Sequence, residues 1–357
     1  MQAFQRLELM QVKCYRPLSV LPIALVISAA CGGGRDASNR APEEAAFRAA
    51  LLTAGPVSDA GWYAGAYEGL QWVEDSLGAA ISHQQTRTPA EFDEAMIAYA
   101  SDGYDLIFAH GFEYQDAAIR VGAMYPETVI IVSSGGRLAP NVIPLIFKLE
   151  EGAYIAGITA GMMTATGTVG MVGGVAIPPA EGTFVGFEAG ARLVNPGITV
   201  LVNWIGSWDD VAAAKEAAVA LIGRGADILI HNVDAASFGV FQAAREAREE
   251  GEEVWAMGMN RDQNDVFPQV ILGSAILRIP EAFLTVARLW QSGELPRGEP
   301  YFAGGDTRAA DYVVNPVLQD RYSPQLMARI ESVRMEIRNG IIEVPRVEFL
   351  GTGGSSP

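Results

Sequence analysis

The chain has 357 residues and a formal charge of −17 at pH 7, enough material for two domains with buried cores. Half of it is hydrophobic and 19% is charged, the composition of a packed globular protein and not of a disordered one. Residues 1–30 hold three basic residues and one acidic residue, so the remainder carries −19, a balance that excludes nucleic acid and anionic lipid headgroups as natural partners.

Lys13 and Arg16 precede an apolar run over 18–27, which meets Ser28-Ala29-Ala30-Cys31. A basic start, a short apolar stretch and a small-residue exit predict a secretory signal over 1–30, and Met10 would give it a more compact start. The run is too short to span ~30 Å of hydrocarbon. Cys31, followed by Gly32-Gly33-Gly34, resembles a bacterial lipoprotein processing site, with Ser28 where an aliphatic residue is usual. The expectation is an exported chain, periplasmic or held to the cell membrane through a lipid on Cys31 and by nothing else. Cys14 is the other cysteine, and His83, His110 and His231 are widely spaced. No disulfide, thiolate nucleophile, metal site or cofactor is expected.

Residues 31–45 read as a flexible tether. Apolar runs at 47–55, 105–111, 128–135, 168–175, 199–207, 227–233 and 254–260 predict buried strands. Helical stretches at 89–101, 151–164, 209–224 and 235–250 lie among them. Strands alternating with helices of this length predict βαβ units with parallel sheets, an α/β fold. The strands are too many for one open sheet, so two doubly wound, Rossmann-like lobes are expected, joined by a multi-strand hinge. Lobe 1 is expected over 46–148, completed by about 272–300. Lobe 2 is expected over 149–271, completed by about 301–348, with 349–357 as a tail.

Ligands of open α/β sheets sit beyond the carboxyl ends of the strands. That rule selects Asp59, Trp62 and Tyr63 after the first strand, and Gly111 and Phe112 after 105–111. In the second half it selects Trp208, Asn232, Asp234, Asn260 and Asp262. Asp and Asn are also ordinary turn and cap residues, whereas tryptophan is a costly one. Trp62 and Trp208, at strand exits of opposite lobes, are placed to close on the two faces of a flat ring.

The ordered set Asp59-x-x-Trp62-Tyr63, Tyr67-Glu68-Gly69, Gly111-Phe112, Gly206-Ser207-Trp208-Asp209-Asp210, Gly225-Ala226-Asp227 and Asp262-Gln263, then Ser274, resembles the basic membrane protein (BMP) family. These are ABC-transporter substrate-binding lipoproteins that include purine nucleoside receptors, and the resemblance covers about 47–295. It implies the type I periplasmic binding protein fold, a purine-like small molecule as ligand, and an ABC permease as partner. The receptor is expected to act as a monomer. Trp62 and Trp208 correspond to the family's two base-clamping phenylalanines. Tyr63 stands where members carry Asn, Asn260 where they carry an Asp for ribose, and Leu277 where they carry Lys. The retained aromatics fit a purine base, a nucleoside or another flat heterocycle. The alternatives are a sensory or interaction lipoprotein of the same fold, or a nucleoside-processing enzyme. No G-x-S-x-G elbow or dinucleotide fingerprint supports catalysis, so no catalytic residue is expected.

Overall fold

The computed structural model describes residues 47–58 and 61–351. The expected signal, Cys31, the tether and Asp59 lie outside the described residues.

The described strands are β1 (Arg48–Thr53), β2 (Ala80–Gln85), β3 (Leu106–His110), β4 (Val129–Ser133), β5 (Val142–Phe147), β6 (Thr168–Gly173), β7 (Thr199–Trp204), β8 (Ile228–Asn232), β9 (Trp255–Asn260), β10 (Ile271–Leu277), β11 (Tyr301–Ala303) and β12 (Ala310–Val314). The α-helices are α1 (Trp62–Leu77), α2 (Pro89–Ser101), α3 (Gln115–Met124), α4 (Leu149–Met163), α5 (Pro178–Val194), α6 (Val211–Ile222), α7 (Ser237–Glu249), α8 (Ile279–Ser292) and α9 (Pro324–Arg338). Each strand and helix expected from the sequence is present, with ends that follow local chemistry. Thr88 caps α2 by accepting from Glu91 N, with Pro89 at the first turn, and Asp210 caps α6 by accepting from Ala213 N at 2.9 Å.

Two six-stranded sheets form, in the orders β11-β5-β4-β3-β1-β2 and β12-β10-β9-β8-β6-β7. The first is parallel throughout; the second is parallel except for β12, which runs antiparallel to β10. Inner strands such as Leu106–His110 and Ile228–Asn232 are buried at every residue, because helices cover both faces.

The strand orders correct the expected completion of each lobe. β10, from the segment expected in lobe 1, pairs with β9 in the second sheet. The return to lobe 1 begins with α8, where Phe283 stacks on Phe108 at 4.2 Å. β11, from the segment expected in lobe 2, pairs with β5 in the first sheet. β12 and α9 then complete lobe 2, where Arg334 Nε meets Asp311 Oδ1 at 2.6 Å. Burial periodicity marks a strand as inner without saying which sheet it joins. The chain thus passes between sheets at Lys148, at Arg278 and between β11 and β12. These crossings bring the carboxyl ends of both sheets to one cleft.

Candidate ligand-binding cleft

The lobe 1 wall is built on His110. β1 and β3 end together, with Thr53 in register with His110. The imidazole is fully buried; Nε2 donates to the Trp62 carbonyl at 3.1 Å, which leaves Nδ1 to accept from the Ser133 hydroxyl at 2.7 Å. Burial pushes its pKa down to about 3, so the ring is neutral. It stacks on the Trp62 indole with centroids 3.8 Å apart and 27° between planes, while Phe147 meets that indole edge-on at 5.6 Å. Trp62, at the start of α1, therefore has its inner side fixed by its own lobe.

The lobe 2 wall presents Trp208 from a tightly bonded loop. Gly206 has φ +74°, and the Ser207 hydroxyl accepts from the amides of Asp209 and Asp210 at 3.3 and 3.2 Å. The Trp208 carbonyl accepts from Asp234 N at 3.0 Å and Ala236 N at 3.1 Å, tying this loop to the exit of β8. A Cβ on Gly174 would overlap the Trp208 ring, so the exit of β6 has to be glycine for the indole to lie against it. Asp210 is a helix cap, as the ordinary reading of such residues holds.

Trp62, Tyr63, Gly111 and Phe112 from lobe 1 line one open-sided cleft with Trp208, Asn232 and Asp234 from lobe 2. Its lining is mostly apolar and aromatic with a few polar groups, the character of a small-molecule site. Asn260 and Asp262 do not line it. Asn260 is buried at the end of β9 with φ +67°, a left-handed backbone that asparagine tolerates better than most residues. Asp262 is exposed and accepts from Asn264 N at 3.0 Å, a turn-forming role.

Behind that turn lies a buried hub. Gln263 Oε1 accepts from Met259 N at 2.9 Å and from His231 Nε2 at 3.0 Å, and Gln263 N donates to Ser274 Oγ at 3.1 Å. Nδ1 of His231 accepts a long bond from Val233 N, 3.4 Å, which fixes the tautomer. Burial pushes the His231 pKa down to about 4.

Glu113, Ser134, Phe147, Thr183 and Leu277 also line the cleft, together with the first turn of α5 at Pro179 and Ala180. The strand-exit rule would have reached Ser134 after β4 and Pro179 after β6, had it been applied to every strand. Thr183 accepts from Asn232 Nδ2 at 3.2 Å and so holds that amide in place. Glu113 is exposed to cleft water, yet crowding by surrounding protein pushes its carboxyl pKa up to about 7. The upward shift strengthens as the cleft loses water.

Two further contacts join the lobes. Arg261, past β9, meets Glu68 of α1 at 2.9 Å. The chain after α9 runs back to lobe 1, where Phe349 meets Phe112 edge-on at 6.3 Å and Gly351 N donates to the Gly136 carbonyl at 2.8 Å. The expected tail is therefore packed as far as 351; residues 352–357 lie outside the described residues.

Two doubly wound lobes with repeated crossings and a shared cleft at their strand ends define a solute-binding protein of the type I periplasmic fold. A solved ABC-transporter solute-binding protein from Aeropyrum pernix K1 has this fold, with a TM-score of 0.75 and 22% identity over 83% of this chain and 93% of that one. The chain matches the Bmp family, described as ABC transporter substrate-binding protein PnrA-like, over residues 46–348, and it belongs to that family. It is 27% identical to the CD4+ T-cell-stimulating antigen of Listeria innocua, over 92% of this chain and 97% of that one. It is 30% identical to the ABC transporter nucleoside-binding protein BmpA of Lactococcus lactis, over 70% of this chain and 74% of that one. A substrate-binding protein of an ABC importer works outside the cytoplasm and delivers a small molecule to a permease. Among the described residues no helix is long and apolar enough to cross a membrane.

Proposed function

We propose that this chain is a lipid-anchored receptor that captures a flat heterocycle, a purine base or nucleoside, between Trp62 and Trp208 and passes it on chemically unchanged. The observation that carries this reading is the pair of tryptophans, one from each lobe, lining a single cleft with each ring backed by its own lobe. Rings held in advance lose little entropy on binding, and stacked aromatic faces contribute about 1–3 kcal/mol each. The nucleoside-binding name of the Lactococcus relative agrees with a ring-shaped ligand. The anchor is the Cys31 thiol, and its removal in Cys31→Ser should release the protein from membranes.

The test is mass spectrometry of the small molecule released when the purified protein is denatured. An ultraviolet-absorbing heterocycle is expected. A saturated ligand, such as a free sugar or an aliphatic amino acid, would overturn the reading. Conversion of an added nucleoside to base and ribose would identify an enzyme instead.

A further inference from the structure

One amide among the cleft's lining residues is held in a single orientation. Asn232 ends β8, and its backbone carbonyl accepts from Gly174 N at 2.9 Å, so the chain beneath the side chain is fixed by the sheet. The side chain reaches α5, where Nδ2 donates to Thr183 Oγ1 at 3.2 Å. The Thr183 hydroxyl has one proton, which it donates to the Pro179 carbonyl at 3.0 Å. It can therefore only accept from Asn232, and this fixes which end of the amide is nitrogen. Thr183 is fully buried and Asn232 is 8% exposed, so bulk water has little access to the relay.

Part of that amide remains unused. A side-chain amide carries two N–H donors and two oxygen lone pairs. Thr183 takes one donor; the second N–H and Oδ1 have no further partner among the described residues. Every buried side-chain nitrogen or oxygen that is shut off from solvent among these residues has a partner. Oδ1 has none, so it opens on the cleft that Asn232 lines with Trp62 and Trp208. A donor and an acceptor side by side in one plane match a ring edge that offers an acceptor next to a donor. Asparagine reads the amino group and neighbouring ring nitrogen of adenine in this way. A ring covered on both faces by the tryptophans has only its edge to offer such a group.

Resting on the reading of the cleft as a flat-heterocycle site, we propose that Asn232 selects a ring with an amino group beside a ring nitrogen, and that Thr183 positions it. Asn232 is then the specificity-determining residue. A ring without the amino group leaves Oδ1 without a donor in a cleft emptied of water, and an unpaired acceptor there is costly.

Calorimetry on the ligand-free purified protein tests both roles with two pairs of neutral probes, adenine against purine and adenosine against purine riboside. The members of each pair differ only in the amino group. In whichever pair binds, the amino form should bind about tenfold to a hundredfold more tightly, the discrimination that one bidentate amide contact gives. Asn232→Leu removes both polar atoms, and that ratio should fall to about one. Thr183→Val frees the amide to turn, and should lower the ratio while the amino-free ring binds nearly as before. Thr183→Ser keeps the hydroxyl and should keep the ratio. A threonine that served packing alone would weaken both members of a pair alike. Equal binding of the two members by the wild type would overturn the edge selectivity and leave the flat-ring reading standing. An unchanged ratio in Asn232→Leu would overturn the assignment to Asn232. An unchanged ratio in Thr183→Val, or its loss in Thr183→Ser, would overturn the positioning role of Thr183. Failure of all four probes to bind would remove the purine reading of the cleft and this inference with it.

Discussion

The two lobes repeat one strand order, β1 to β5 with β11 in the first and β6 to β10 with β12 in the second. His110 closes β3, while His231 stands one residue before the end of the corresponding strand β8, and burial keeps both neutral. Their uses differ. His110 lies flat under Trp62 and serves as the base of an aromatic stack. His231 is held edge-on to Phe241, 5.3 Å away, and spends its hydrogen bonds on the Gln263 turn. One lobe has built a ring platform on the last residue of its strand, and the other a hydrogen-bonded scaffold one residue earlier, on the opposite face of its sheet. Recognition of a ring face and support for polar contacts are thereby divided between the two halves.

Acid is the strongest probe of this comparison. An unfolded histidine titrates near 6.5, whereas folding holds His110 at about 3 and His231 at about 4. Below 6.5 the unfolded chain takes up protons that the folded chain refuses. Their contribution is thus present above that pH and lost as pH falls toward 3–4, several kcal/mol for the pair. Glu150, whose pKa burial raises to about 7, has the opposite sign: its contribution is present below the unfolded carboxyl range and lost as pH rises through 7. The useful readout is therefore the difference in slope between wild type and variant. Melting temperature should fall between pH 6.5 and 4, less steeply in His231→Gln and least steeply in His110→Gln. Identical slopes in all three proteins would mean that neither imidazole is held neutral by the fold.

The lobe 2 scaffold should be the more fragile of the two. Gln263→Leu leaves the Met259 amide and the His231 Nε2 proton without their acceptor, a cost of about 2–5 kcal/mol for two buried donors. Ser133→Ala removes a single partner from His110 in lobe 1 and should cost about 1–2 kcal/mol. Urea melts of the two variants test the ranking, and equal losses would erase the distinction between platform and scaffold.

Trp208→Ala should weaken ligand binding by about 1–3 kcal/mol and leave the unliganded melting temperature nearly unchanged, because the indole lies on Gly174 at the cleft surface. Trp62→Ala should cost stability as well, since it uncovers His110 and the edge of Phe147. Calorimetry paired with thermal melts distinguishes the two. Destabilisation of the apo protein by Trp208→Ala would make that tryptophan core packing.

Much of this was legible before any coordinates. Parallel inner strands such as Val129–Ser133 are continuous apolar runs because both faces are covered. The strand-exit rule found Trp62 and Trp208 because tryptophan has little reason to stand in a turn. β2 was not legible: Ala80–Gln85 is an edge strand with polar, half-exposed residues and no apolar signature. The exchange of β10 and β11 between lobes was hidden because pairing partners lie far apart in sequence. Asn260 reads as a ligand contact from its place at the end of β9, but its left-handed backbone is a sufficient reason for asparagine there. Glu113 follows Phe112 at the exit of β3 without being selected, because nothing in the sequence shows that its carboxylate folds back over Gly111.

The smallest expected effect concerns an exposed ion pair between the lobes. Arg261 and Glu68 meet at 2.9 Å with side chains 44% and 37% exposed, so their attraction is screened by water and salt. An exposed pair of this kind contributes about 0.2–1 kcal/mol. Arg261→Ala should therefore raise the dissociation constant by less than about fivefold. The partners belong to different lobes, so opening of the cleft is expected to separate them. Its loss should act on closure and not on the folding of either lobe. The apo melting temperature should stay at the wild-type value, and Glu68→Gln should have no further effect in the Arg261→Ala background. Scattering profiles of the ligand-saturated variant should still show the compact form. A drop in apo stability matching the drop in affinity would mean that the lobes rest on each other without ligand. The division of labour between platform and scaffold would then be fixed in the unliganded protein, not assembled on closure.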